Sequence, residues 1–240
     1  MAGTITAANL LLRIRDTLQD TTGIRWLDAE LLRYMNDAQR EVVNLRPESS
    51  STTANVALVV GTAQTIPAAG LRLIKVVRNM SAAGGSATGK RAIRIVDREI
   101  LDTQEPDWHD PTVGGDATHA TTVKHYVFDE DDPRRFYVYP GASSTSTFIE
   151  IVYSTAPTDF ANTSSATMFV DDVYANALID YVLYRSYMKD AEFAGNQQRA
   201  SSHYQLFVGS VTQGGQVSIM VSPNTDSMGL MAPQQQGAAV

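Results

Sequence analysis

Apolar residues recur with a helical period at both ends of this chain and with short strand-like runs between them. Over 6–19, Leu10, Leu11, Ile14 and Leu18 line one face of a predicted helix, which Thr22-Gly23 breaks. A second stripe, Leu31, Met35, Ala38 and Val42 with Leu45 one turn on, predicts a helix from Asp28 to the Arg46-Pro47 stop. That helix should be about 27 Å long at 1.5 Å per residue. Asp28 reads as its N-cap, and Leu27 is placed to pack back onto Leu32 as a hydrophobic staple. After Pro47 the period changes. A polar linker over 49–53 precedes predicted strands at 56–60, 64–66, 71–80, 91–96, 123–128, 136–139 and 148–153, with one or two helical turns at 98–104. Helical spacing returns at 173–189, capped by Asp171 or Asp172, and from 192 to about 211.

Two helices before a sheet and two after it predict an α+β chain. The N-terminal hairpin (1–47) and the C-terminal helices (159–213) form one helical bundle, and an antiparallel sandwich or partial barrel (48–158) is inserted into it. Residues 214–240 carry glycine, proline, glutamine and methionine with a single acid and no base, which predicts an extended tail.

Composition narrows the chemistry. A hydrophobic share of 43% over 240 residues supports a sizeable core. No apolar run is long enough to cross a membrane, and no basic segment precedes the first apolar residues as a signal peptide requires. The absence of cysteine removes disulfides, thiolate chemistry and cysteine zinc sites. A net charge of -7 argues against a surface built to grip DNA phosphates.

Three motifs invite a catalytic reading. Gly84 to Lys90 spells GxxxxGK, but Arg91 stands where a phosphate-binding loop has its magnesium hydroxyl, and a strand follows where a helix is needed. His109, His119 and His125, with Asp107, Asp110 and Asp116, match no ligand spacing. No nucleophile elbow marks a Ser/His/Asp site. The expectation is no enzyme, no cofactor and no metal.

Charge and tyrosine point to surfaces instead. The stretch 72–94 holds Arg72, Lys75, Arg78, Lys90, Arg91 and Arg94 and no acid, whereas 97–132 holds eleven acids and two bases, ending in Asp129, Glu130, Asp131 and Asp132. Either the two segments neutralise each other within one sheet unit, or a basic flank of one copy meets an acidic flank of the next. Tyr174, Tyr181, Tyr184 and Tyr187 occupy different faces of one helix; Tyr174 and Tyr181 suit its core, and Tyr184 and Tyr187 suit a subunit contact. In the tail, Val217, Ile219, Met220, Val221, Met228, Leu230 and Met231 are too apolar for an inert linker and suit docking on another protein.

The second helix also carries a resemblance. Trp26, Asp28, Glu30, Leu31 and Leu32, then Asn36, Asp37, Ala38, Gln39, Arg40 and Glu41, then Arg46-Pro47, resemble the N-terminal helix of head-to-tail connector proteins of tailed bacteriophages. The order of elements is similar to the tail tubular protein A type of adaptor in short-tailed phages. The resemblance implies a structural virion protein: a ring of about twelve copies between the portal protein and the tail nozzle or tail tube. Its lumen would pass DNA without specific binding, and it would contact no membrane. It would assemble in the host cytoplasm and end in the neck of the virion, its tail docked on the portal or on a neighbouring subunit. A neck or tail-completion protein of a longer-tailed phage is the rival in the same class. From other classes come a nucleotide hydrolase using loop 84–90 and a carbohydrate-binding module, for which Trp26 and Trp108 would be the only tryptophans.

Overall fold

Helix α1, Ala7–Leu18, buries Ala7, Leu10, Leu11, Ile14 and Leu18 along one face. Thr6 caps its start, accepting from the Asn9 N–H, and Gln19 closes it in the left-handed conformation. The computed structural model describes residues 3–112, 119–193 and 195–220, and these fall into two units.

One unit, residues 2–46 with 160–240, is helical over its described part. Helix α2, Asp28–Leu45, buries Leu31, Met35, Ala38, Gln39, Val42 and Val43. Its start differs from the sequence expectation. Leu27 holds the N-cap position without a side-chain cap and is exposed, so no staple forms; Asp28 is the first helical residue, and its carboxylate pairs with Arg15. The physical reason lies upstream. Asp20 accepts the N–H groups of Ile24 (3.0 Å), Arg25 (3.0 Å) and Trp26 (2.9 Å), and so fixes the turn between the helices by itself. Gly23 is required there: its φ is +70°, and a Cβ would lie 2.6 Å from the Arg15 guanidinium.

Helix α4, Ala175–Lys189, follows a 3-10 turn at Asp172–Tyr174 in which Asp171 accepts from the Val173 N–H. It packs on α1, on α2 and on α5, Asn196–Met220, and buries Leu178, Tyr181, Val182 and Leu183. The polar centre of α2 ties down the segment that leads into it: Asn36 Oδ1 accepts from Phe160 N at 2.9 Å, and Gln39, itself buried, accepts from Phe169 N at 2.7 Å. Helix α5 overturns the expected break near 211. It continues to Met220 through Gly214 and Gly215, since glycine costs a helix only about 1 kcal/mol and no proline intervenes. Residues 214–220 are thus helical and not extended, and the expected tail from 221 onward lies outside the described residues.

The other unit, residues 47–159, holds two four-stranded sheets. Its strands are β1 (Ser51–Ala57), β2 (Gly61–Thr65), β3 (Gly70–Met80), β4 (Gly89–Ala92), β5 (Arg94–Ile95), β6 (His125–Phe128), β7 (Arg135–Ala142) and β8 (Phe148–Thr155). The first sheet runs β1-β8-β3-β4 and the second β2-β7-β6-β5, antiparallel throughout except that β5 lies parallel to β6. Leu73, Val76, Ile149, Ile151 and Tyr153 from the first sheet pack with Tyr126, Phe136 and Val138 from the second in one core. The far face of the second sheet is covered by helix α3, Arg98–Gln104, and the turn after it, through Leu101 and Trp108 on Val127 and Tyr139. With its two faces covered, the second sheet is a middle layer.

Two details of this unit depart from the sequence reading. Residues 49–53, expected as a polar linker, form the end of a 3-10 turn (Pro47–Ser50) and the first half of β1. The run 91–96 is not one strand: Ala92 pairs with Arg78 in the first sheet, Arg94 pairs with His125 in the second, and buried Ile93 makes the crossing.

Candidate assembly surfaces

The basic residues of β3 are spaced by three, which in a regular strand would send them to alternate faces. Here the register slips by one residue between Gly70 and Arg72, Leu73 and Lys75, and Val76 and Arg78. Each slip is a bulge that sets two β3 residues against one on β8. Arg72, Lys75 and Arg78 therefore oppose Ser154, Val152 and Glu150, three positions on one side of β8. They form an exposed row, while Leu73, Val76 and Asn79 turn inward. Arg78 donates to Glu150 at 2.6 Å, and the Arg72 guanidinium lies 5.7 Å from the Phe128 ring.

At the end of β3 the chain gathers further cations. Asn79 is buried and donates to the carbonyls of Arg91 (2.9 Å) and Val123 (2.8 Å), while its Oδ1 accepts the Val123 N–H at 2.8 Å. This clamp, with the Arg94–His125 pairing, brings Arg91, Arg94, Lys124 and His125 around a cleft of about 420 Å³ whose lining, among the described residues, contains no acid. Burial first, then Arg91, Arg94 and Lys124, hold His125 below the ordinary histidine range, with the Arg94 backbone pulling weakly the other way. The buried Nδ1 of His125 makes no hydrogen bond of good geometry. In the sequence nothing singles out Lys124 and His125 reads only as a candidate metal ligand, because only the parallel pairing of β5 with β6 places them beside Arg91 and Arg94.

The acidic turn lies beyond the other end of β6. Asp129 and Asp132 spend one oxygen each on local N–H groups, of Asp131 at 3.1 Å and Arg134 at 3.2 Å, and Glu130, Asp131 and Asp132 are exposed. Arg134 and Arg135 come next and are also exposed, so this end is mixed but acidic, with four carboxylates to two guanidinium groups. A groove of about 380 Å³ beside it is lined by Arg72, Ile95, Tyr126, Phe128 and Glu130 among others.

On α4, Tyr184 and Tyr187 are each half-buried against α5. Tyr184 meets Tyr204 with ring centroids 5.0 Å apart, and Tyr187 stacks on His203 at 5.7 Å, where His203 in turn bonds Asp180 at 2.9 Å. Val217, Ile219 and Met220 lie on the last turns of α5, and Val221, Met228, Leu230 and Met231 lie outside the described residues.

The residues once weighed for catalysis are dispersed. Loop 81–88 joins antiparallel β3 and β4, with Ala87 N bonded to Gly84 O, and Lys90 sits exposed on β4 where a phosphate loop would open a helix. His109 bonds the Thr62 hydroxyl at 2.7 Å and is held below its ordinary range, first by burial and then by Arg98. His119 packs on Gly141, His125 belongs to the basic cleft, and Asp116 lies outside the described residues. Among the described residues no three His, Asp or Glu side chains gather as metal ligands would, and no helix is long and apolar enough to cross a membrane. Trp26 and Trp108 are buried, Trp108 donating from Nε1 to Asp102 at 2.8 Å, so neither offers a flat platform for a sugar.

A family model described as SU10 adaptor protein matches residues 5–225. No curated protein matches the chain.

Proposed function

The chain belongs to the SU10 adaptor protein family and is a structural adaptor of a bacteriophage; from that premise we propose that it builds a ring of about twelve copies between the portal protein and the tail nozzle or tail tube, with a central channel for DNA. The observation that carries this reading is the extent of the family match, which takes in the helices of one unit and the strands of the other. An adaptor works by complementary surfaces, without bond chemistry, and the surfaces described above are of that kind. Subunit contacts fall to the row Arg72, Lys75 and Arg78, to Arg91 and Arg94, to the acids Asp129, Glu130, Asp131 and Asp132, and to the outer edges of Tyr184 and Tyr187. Val217, Ile219, Met220, Val221, Met228, Leu230 and Met231 supply apolar side chains for docking on the portal or on a neighbouring copy. Assembly takes place in the host cytoplasm, and the finished ring sits in the neck of the virion. Particle size measured with and without purified portal protein tests the proposal. A ring that forms on the portal, or binds it once formed, is the expected result. A chain that stays monomeric and ignores the portal overturns it.

A further inference from the structure

We propose that the joined turns at one end of the helical unit, where Ile24, Leu27 and Phe193 stand out in solvent, receive the apolar stretch 221–231 of a second copy of this chain. The inference rests on the adaptor reading and names the surface on which a neighbouring copy's tail docks. Ile24, Leu27 and Phe193 are 84%, 63% and 60% exposed, and large apolar side chains gathered on turns rimmed by ion pairs mark a docking surface. They come from distant parts of the sequence and are held in place. Asp20 accepts the N–H groups of Ile24, Arg25 and Trp26, which fixes the turn between α1 and α2. Phe193 N donates to Asp190 O at 3.1 Å, and Asn196 N donates to Phe193 O at 3.1 Å, which fixes the turn between α4 and α5. Arg25 joins the two turns: it pairs with Asp190, and its guanidinium lies 4.9 Å from the Phe193 ring and 5.0 Å from the Trp26 ring. Lys189 pairs with Glu30 at 2.8 Å, and Glu192, next to Phe193, is an acid. With Arg25 and Lys189 already paired, this end offers apolar side chains and not a grip on phosphates.

The occupant follows from the reach of the chain. Residues 221–231 carry Val221, Met228, Leu230 and Met231 with one acid, Asp226, and no base, and methionine adapts well to irregular apolar surfaces. They begin where α5 ends, at Met220, whereas α5 starts at Asn196, bonded to Phe193. The helix between them carries the chain about 36 Å away from Phe193 at 1.5 Å per residue. A fully stretched chain gains at most about 3.6 Å per residue, so Val221 stays within about 4 Å of Met220, Met228 within about 29 Å and Leu230 within about 36 Å. Only Leu230 and Met231 can reach Phe193 of the same chain, and only at full stretch. One copy cannot lay this segment on its own turns, but a second copy whose α5 ends beside them can.

The chain has no cysteine, so single introduced thiols report the contact cleanly. Leu27→Cys and Met228→Cys are made in separate full chains, mixed, and treated with a short bismaleimide, with and without portal protein. The expected product has the mass of two chains and far exceeds what either variant yields alone. Adding Ile24→Asp/Phe193→Asp to the Leu27→Cys chain should abolish that excess; both positions are exposed, and circular dichroism checks that the variant folds. Leu27→Cys/Met228→Cys in one chain should link chain to chain. A mixture with no excess, an excess that survives the two aspartates, or a double variant that closes within single chains overturns the inference. Portal binding is measured on the same samples: an unmodified chain that binds the portal while the cross-link fails sinks only this contact, and one that neither binds the portal nor self-associates sinks the adaptor reading with it.

Discussion

Replacing Asn79 by alanine should loosen the sheet unit where its two sheets are clamped together. The side chain makes three hydrogen bonds, two to the N–H and carbonyl of Val123 and one to the carbonyl of Arg91. Val123 is fully buried, so truncation strands two backbone groups away from water, at about 1–2 kcal/mol each. Arg91 is exposed, and water can replace its lost partner at almost no cost. The sum is about 2–4 kcal/mol. For a chain of this size 1 kcal/mol moves the melting temperature by about 2–4 °C, so a fall of about 4–16 °C is expected in calorimetry or thermal circular dichroism. Asn79→Asp is the informative companion. It keeps the volume and the acceptor for Val123 N–H but turns carboxylate oxygens toward two carbonyls, and it should be no milder than alanine. A shift below about 2 °C for both variants would refute the clamp and place the strength of this corner in the apolar core alone.

Met35, fully buried on α2, should cost about 2–5 kcal/mol when cut to alanine, read as a lowered midpoint in urea at unchanged slope. Asp172 accepts from the Thr4 hydroxyl at 2.6 Å and from the N–H groups of Thr4 (2.7 Å) and Ile5 (3.0 Å), which hold its carboxyl below the usual value, the Thr4 hydroxyl first. A depressed carboxylate stabilises the fold fully above its unfolded pKa of about 4 and loses that contribution as pH falls from there through its lower folded-state pKa. The melting-temperature gap between the unmodified chain and Asp172→Asn should therefore be constant above pH 5 and close below about pH 4; a gap unchanged at pH 3 would contradict it. Truncation after Met220 should leave helix content unchanged by circular dichroism and weaken binding to the portal or to neighbouring copies; undiminished assembly would remove residues 221–240 from the docking proposal.

The helices were legible because their core faces repeat at helical spacing: Leu10, Ile14, Leu31, Met35 and Val42 are buried as the spacing requires. The strand expected at 56–60 caught only the end of β1; its first half was not legible, since as an edge strand it fully buries none of its side chains, and backbone pairing to β8 leaves no trace in hydrophobicity. Strand β3 was found, but its meaning was hidden. A three-residue repeat of Arg72, Lys75 and Arg78 contradicts a regular strand, and only the three register slips turn it into a row. The division of charge between 72–94 and 97–132 could be read directly, whereas the basic cleft could not. Arg94 and His125 lie 31 positions apart in the chain, and no local spacing announces a parallel pairing between them. Asp28 misled for a simpler reason: it has the right chemistry for a cap, but Asp20 already holds the turn before it and Arg15 claims its carboxylate.

The pairing of β1 with β8 sets the order in which this chain can acquire its structure. Ser51 lies opposite Ser154, and the Thr155 hydroxyl bonds the Ser50 carbonyl, so the sheet unit begins and ends on neighbouring strands. On a ribosome, α1 and α2 emerge first, yet Leu10, Ile14, Leu31 and Met35 have no α4 to pack against until the last third of the chain is made. The sheet unit is complete before that. Once folded, it draws the ends of a span of about 110 residues together, which lowers the entropy lost in reuniting α2 with α4 by about 3 kcal/mol relative to an open coil. Synthesis order thus makes the inserted sheet a folding aid for the helices that flank it.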